Sequence, residues 1–540
     1  MNKFMNKFPN RSPKKSAVKL LKAALSLSVS ASIALGTALN ALADEWDGYE
    51  SDDLVVELTD DGFLPELTDG YEAPPAGELT GEAAELLSEV IKNGLSDPLT
   101  ADLLADYKTI DSGFCGAKGN EQGVSWALNE IGVLTISGSG DMGFNDEAAP
   151  WYVYSDNILA VVFAGGSRVT SVADMAFYGL RKITKVILPD SVKRIGSSAF
   201  AGCDLLATVT MPAGLEYLED LAFYYCLALK DITIPDTVTA ISDYTFAFCS
   251  ELQNAALSKN LVSIGDGAFG NCRRLASIQL PETLQSIGNE AFGNCVSLTG
   301  VTLPGGLTYL GRFAFGRCSG LRSFKIPKAV TEIGENPVTG CHKLSSISVD
   351  KENENYCSIG GVVYSSDMTK LIAYPPAKLG TSYLIPETIK IIGDHAFLGN
   401  RYIRELMIPA SVEIIGESAF EDSKSLVSVV IPYTVTTIGL CAFENVPYIG
   451  ENEVRKVFLT ITGCIGSAAY DYAVGNGLLF NPIIDFIASG SDNFESLGMV
   501  YDYMAGTGEL DNTQQTIADI NQDGYIDIRD YNLSYSNINK

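Results

Sequence analysis

The residues with the sharpest chemical content lie near the carboxyl end of the 540-residue chain: Asp519, Asn521, Asp523, Tyr525, Asp527 and Asp530. Counted from Asp519 they stand at places 1, 3, 5, 7, 9 and 12, with Gly524 at place 6. That is the donor pattern of a calcium loop, because Ca2+ is a hard ion that collects six to eight oxygens. The side chains of Asp519, Asn521, Asp523 and Asp530 would bind directly and Tyr525 would offer its backbone carbonyl. Asp527 would act directly or through water. Gly524 makes the sharp turn, and Ile526 points into a small core. An acidic turn without metal is the alternative, and the complete spacing argues against it.

Little else in the chain offers chemistry. There are two histidines, His342 and His395, and both fall at repeat positions as loop or packing residues. No nucleophile elbow, phosphate-binding loop or H-E-x-x-H is present. No paired carboxylates can be assigned, so the chain is expected not to be an enzyme. Lys and Arg number 37 against 66 Asp and Glu, a formal charge of −29, which excludes a nucleic-acid partner.

The elements before the loop are strictly periodic. A small residue followed by an aromatic recurs every 23 residues at Phe177, Phe200, Phe223, Phe246, Phe269, Phe292 and Phe315, with Val338 continuing the register. After an insert the pattern resumes at Phe397, Phe420 and Phe443, which makes eleven turns. Cys203, Cys226, Cys249, Cys272, Cys295, Cys318 and Cys341 stand three residues after their Phe or Val, and Pro189, Pro212, Pro235, Pro281, Pro304, Pro327, Pro386, Pro409 and Pro432 mark another column. One unit cannot bury its own apolar residues, so stacked units must share a core, as in a solenoid. The alternation around Val209 and Met211 predicts a short strand with one buried face, ended by Pro212. The outward positions, such as Thr208/Thr210, Ser277/Gln279, Gly300/Thr302, Glu405/Met407 and Ser428/Val430, give a small, mildly polar face without Trp, Tyr or Arg anchors.

The cysteine column is expected to be a ladder of small buried thiols. Disulfides between adjacent turns are the alternative, disfavoured by the odd count and by the turns that lack Cys. A zinc site is not expected, since no C-x-x-C pair exists. In the insert, Tyr356, Tyr364, Tyr374 and Tyr383 either bind a ligand or pack the insert onto the array.

The 23-residue unit resembles the BspA-type leucine-rich repeats of bacterial surface proteins over about residues 160–470. That resemblance implies a leucine-rich-repeat solenoid of short parallel strands plus turns. The stretch from Cys115 through Trp126, Leu134 and Asp141 to Trp151 and Tyr152 resembles the N-terminal cap of such arrays. Leu459–Gly463 with Gly466–Ala473 resembles their closing unit, and Tyr356–Tyr364 with Leu371–Pro375 resembles a hairpin unit common within them.

The calcium loop has the EF-hand kind of spacing, but place 12 is Asp530 rather than Glu and the preceding Thr513–Ala518 is short and polar. It resembles a type I dockerin, a small all-α calcium-binding module, over residues 483–540. The first dockerin repeat is degenerate: Leu497, Met499, Val500, Tyr503, Met504 and Gly506 fit its helix, while most loop ligands before them are missing. The resemblance implies docking onto a cohesin domain of a cellulosome scaffoldin, with Ile528, Arg529, Tyr535 and Ser536 at the contact positions, in the context of polysaccharide degradation.

The amino terminus predicts export. Lys3, Lys7, Arg11, Lys14, Lys15, Lys19 and Lys22 precede an uncharged run from Ala23 to Ala43 that ends Ala41-Leu42-Ala43. A transmembrane anchor is the alternative; the run is diluted by Ser, Thr, Gly and Asn, so cleavage after Ala43 is expected, with no membrane span thereafter. The organisation read from the sequence is a signal peptide (1–43), an acidic linker (44–110) with a short helix within Ala83–Leu95, a solenoid cap (111–165), repeats (166–480, insert about 351–386) and the dockerin (483–540). The expected role is a secreted, extracellular, non-catalytic binding or adhesion protein held at the cell surface through a scaffold. A host or cell-surface adhesin is the alternative, and a glycoside hydrolase with an unrecognised site is third.

Overall fold

The computed structural model describes residues 81–93, 104–144, 148–446 and 459–483. The residues read from the sequence as a signal peptide, most of those read as an acidic linker, and those read as a dockerin, with all of the expected calcium and cohesin positions, lie outside the described residues. The chain divides into two compact units, Met1–Leu252 and Gln253–Lys540.

In the first unit the helix expected within the linker spans Glu82–Asn93. Ala, Leu and Glu favour it, Glu82 and Glu85 sit in its first turn and Lys92 in its last, complementing the helix dipole. It does not float free in solvent. Val90, with Leu86, Leu87 and Ile91 beside it, packs on Ile131, Val133, Ala160 and Val162 of the cap.

The cap is an antiparallel sheet of Thr109–Phe114, Val124–Asn129 and Val133–Asp141, to which Ala160–Phe163 adds in parallel. The repeats then contribute two short limbs per turn. One limb pairs Lys185–Ile187 with Thr208–Thr210 and on to Asp231–Thr233; the other pairs Arg168–Val172 with Arg194–Ile195 and Tyr217–Leu218. Every pairing is parallel, as identical units stacked in one direction require.

The second unit repeats this plan. Ser263–Ile264, Ser286–Ile287, Tyr309–Leu310 and Glu332–Ile333 pair in parallel at the 23-residue offset. Residues 277–279 and 300–302, expected as strands, form none, although Ile278 is buried between exposed Ser277 and Gln279. Gly300 leaves that position without a side chain to pack, and the neighbouring limb has no regular partner there.

The insert is a hairpin of Tyr356–Ile359 and Val362–Ser365 joined by Gly360 and Gly361, both with positive φ, followed by Lys370–Ala373. Such a two-residue turn strongly prefers glycine. Its last part is itself a turn of the solenoid. Tyr374 stands 23 residues before Phe397, stacks on that ring at 4.8 Å, and its N–H donates to Ala396 O as the column phenylalanines do. The second unit closes with the strands Thr460–Cys464 and Leu479–Ile483 around the helix Ala468–Gly475, whose Ser467 hydroxyl caps Tyr470 N.

Candidate functional site

The interior of each turn is organised by three columns. The phenylalanines stack ring on ring: Phe200 on Phe223 at 5.2 Å and Phe223 on Phe246 at 5.5 Å in the first unit, Phe269 on Phe292 at 5.4 Å and Phe292 on Phe315 at 5.0 Å in the second. Each stack ends on a ring with a polar handle. Trp151 lies 5.8 Å from Phe177 and donates its indole N–H to Ala176 O at 2.8 Å. Tyr472 sits edge-on to Phe443 at 5.7 Å, and its hydroxyl accepts from Phe443 N at 3.1 Å. A buried ring that also satisfies an orphan backbone group is a good terminator for an apolar stack.

The second column is the thiol ladder. None of the eleven cysteines forms a disulfide, and those of the column are fully buried. Column Sγ atoms donate to the carbonyl of the preceding turn's phenylalanine: Cys203 to Phe177 O at 3.1 Å, Cys226 to Phe200 O at 3.2 Å, Cys295 to Phe269 O at 3.2 Å, Cys318 to Phe292 O at 3.1 Å. Ser423 replaces Cys and makes the same bond to Phe397 O at 3.0 Å. Burial pushes the Cys249 and Cys318 thiols up to about 12 and raises those of Cys226, Cys295 and Cys341 well above the ordinary thiol range. These are packing groups, not nucleophiles.

The third column lies three residues before each phenylalanine and was not read from the sequence. Carboxylates and amides there accept from the N–H of the equivalent residue one turn on: Asp174 from Ser197, Asp220 from Asp243, Asp266 from Asn289, Asn289 from Arg312 and Asp394 from Glu417, at 2.7–3.2 Å. The glycine just before it marks a close approach of turns; a Cβ on Gly311 would fall 2.4 Å from the carbonyl carbon of Gly288.

The two histidines sit where the sequence places them. His395 Nδ1 lies 3.0 Å from Glu335 Oε2, and its ring stands edge-on to Phe313 at 4.7 Å. Burial opposes the Glu335 charge, but the His395 ring nitrogen at 3.0 Å and the nearby Arg312 guanidinium outweigh it and hold the carboxyl below its usual range. His342 is pushed down by burial and by Arg401. Neither histidine faces a nucleophile: the pair His395–Glu335 fastens the turn after the insert onto the turn before it, together with Asn336 Nδ2 donating to His395 O at 3.0 Å.

The insert tyrosines pack. Tyr364 and Tyr374 are fully buried, the Tyr364 and Tyr383 hydroxyls hydrogen-bond one another, and the Tyr356 hydroxyl accepts from Ile333 N at 3.0 Å. The outward sheet face is small and polar in most turns, but it ends differently from the sequence reading. Leu384, Met407 and Val430 form one cross-strand row, with Leu384 85% and Met407 41% exposed. Among the described residues no cluster of three metal-binding side chains occurs, and no helix is long and apolar enough to cross a membrane.

The model of the BspA type leucine rich repeat region, in six copies, matches residues 170–295, 252–367 and 379–464. No curated protein matches the chain. A solved leucine rich cell surface protein from Faecalibacterium prausnitzii A2-165 is 25% identical over 63% of this chain and 96% of its own, with a TM-score of 0.41. A leucine-rich repeat protein from Bacteroides ovatus ATCC 8483 is 24% identical over 70% of this chain and 100% of its own, also with a TM-score of 0.41. With more than half of its length matched, and with the Phe, Cys and Pro columns repeating at one spacing, the chain belongs to the BspA-type leucine-rich repeat family.

Proposed function

We propose that this chain is an exported, non-catalytic binding protein whose repeats present a surface and whose tail moors it, through calcium, to a cohesin domain of a cellulosome scaffold. The observation that carries the reading is the donor set Asp519, Asn521, Asp523, Tyr525, Asp527 and Asp530 with Gly524, placed behind the repeat array. The donor chemistry fits a calcium ion: hard oxygens, anionic side chains and a glycine at the turn. Bound calcium would supply the free energy that orders the loop. The loop would then present Ile528 and Arg529, and the following helix Tyr535 and Ser536, to the partner. The basic, uncharged and small-residue segments of residues 1–43 support export, and polysaccharide degradation is the setting the dockerin resemblance implies.

The experiment uses the full chain after signal removal, immobilised and exposed to a panel of cohesins with calcium and with chelator. The reading expects calcium-dependent capture that Asp523→Ala abolishes. Capture that persists in chelator, or no capture by any cohesin at saturating calcium, refutes the mooring.

A further inference from the structure

In the phenylalanine turns the residue two after the column ring has a left-handed backbone. Gly179, Gly202, Asn271, Asn294, Gly340, Gly399, Asp422 and Asn445 fill the place at most turns, types for which positive φ costs little. Arg317 at φ 57° breaks the pattern once in the second unit, and two consecutive turns of the first unit break it with aromatic residues, Tyr225 at φ 61° and Phe248 at φ 62°.

Tyr224 joins them. Its ring centroid is 5.9 Å from Tyr225 and 5.5 Å from Phe248, and Tyr225 lies 5.6 Å from Phe248. All three are half-buried, so part of each ring meets solvent. In the second unit the equivalent places carry Gly270/Asn271 and Gly293/Asn294, so the cluster is local rather than part of the repeat. Beside it, Tyr178 interacts electrostatically with both Tyr224 and Arg181. Arg181 Nε stands 3.7 Å from Asp204 Oδ2 with its side chain 53% exposed, while Asp204 Oδ1 is buried without a hydrogen-bond partner.

Adjacent rings near a partly exposed guanidinium suit a molecule that has both apolar faces and many hydroxyls. A pyranose is such a molecule: its C–H face lies on an aromatic ring and its hydroxyls accept from a guanidinium. Three adjacent rings offer more than one such contact, which favours a chain of sugars over a single one. The net charge of −29 disfavours a polyanion. We propose that Tyr224, Tyr225 and Phe248, with the exposed guanidinium of Arg181 near them, form a binding site for a neutral polysaccharide chain. The proposal gives a ligand class to the binding role above and rests on that role, but not on the calcium-set tail.

The test compares the full exported chain with the double variant Tyr225→Gly/Phe248→Asn in native gels containing xylan, mixed-linkage β-glucan or galactomannan. The substituted residues are those other turns use, so the variant keeps or raises its Tm. The wild type is expected to be retarded by at least one polymer, and the variant to bind it about tenfold more weakly or worse. Arg181→Ala weakens the same retardation. No retardation of the wild type overturns the proposal, as does equal retardation of the double variant. A fall in Tm without any polymer dependence overturns it too and makes the rings packing groups, and capture of a protein in place of all three polymers assigns the surface to a protein partner and overturns it. Asp523→Ala separates this from the mooring: it is expected to lose cohesin and keep the retardation.

Discussion

Removing one ring from the aromatic stack tests whether the stack holds the turns together. Phe292 is fully buried between Phe269 and Phe315, with centroids at 5.4 and 5.0 Å. A phenylalanine withdraws on the order of 150–200 Å² from water, which at about 25 cal/mol per Å² is about 4–5 kcal/mol as an upper bound. Alanine keeps a small part of that burial but leaves a void, and its turn cannot collapse because both neighbours are fixed by backbone bonds, Phe269 N to Ala291 O and Phe292 N to Ala314 O. Phe292→Ala is therefore expected to cost about 3–5 kcal/mol, the range for large buried aromatics. Phe292→Leu should cost clearly less. The assay is urea unfolding of the full chain with hydrogen exchange in parallel, because a solenoid unfolds by neighbouring units rather than as one block. Exchange protection should drop most in the turns carrying Phe269, Phe292 and Phe315. A loss below about 1 kcal/mol, or a uniform drop in protection along the chain, would refute the reasoning.

Other outcomes follow from the same geometry. Cys318→Ser keeps a donor to Phe292 O, as Ser423 does naturally toward Phe397 O, while Cys318→Ala leaves that carbonyl only the N–H of Cys295; calorimetry should place alanine about 0.5–1.5 kcal/mol below serine. Alkylation of the native protein at neutral pH, read by mass shift, should modify exposed Cys441 well before any column thiol, and denaturation without reductant should open all eleven; a uniformly blocked column would mean disulfides. Gly361→Ala combines a φ of 85° with a Cβ 2.6 Å from Ser346 Oγ, and should lower stability by about 1–3 kcal/mol by thermal melting. The folded-state carboxyl of Glu335 is depressed, so its contribution is present above the ordinary Glu range and is lost as pH falls through the folded value. Stability curves of wild type and Glu335→Gln should therefore converge below about pH 4, and curves that stay parallel down to pH 3 would contradict the pairing.

The period was legible because the residues that set it are chemically distinctive. Phe, Cys and Pro recur at one spacing, and each has a role that few other types fill. The missing parts are those in which several residue types serve equally. The column at Asp174, Asp220, Asp266, Asn289 and Asp394 needs only an acceptor, so it reads in the sequence as scattered polarity. The turn at Tyr374 was assigned to the insert because Tyr replaced Phe, although Ala373-Tyr374 keeps the small-then-aromatic pair and could have exposed it. Val90 and Ile91 sit in an acid-rich stretch whose composition hides one apolar helix face. The ring cluster at Tyr224, Tyr225 and Phe248 escaped because a period search averages out what differs between turns, and ligand sites are built from such differences. The outward row Leu384–Met407–Val430 was half seen, since Leu384 belongs to the insert in a reading by period alone.

Calcium binding by the full exported chain, followed by isothermal titration with and without Asp523→Ala, tests the central claim most directly. The account predicts one strong site, accompanied by a gain in ordered structure, and the loss of both in the variant. A chain that takes up no calcium at millimolar metal, or one that Asp523→Ala leaves unchanged, would contradict it.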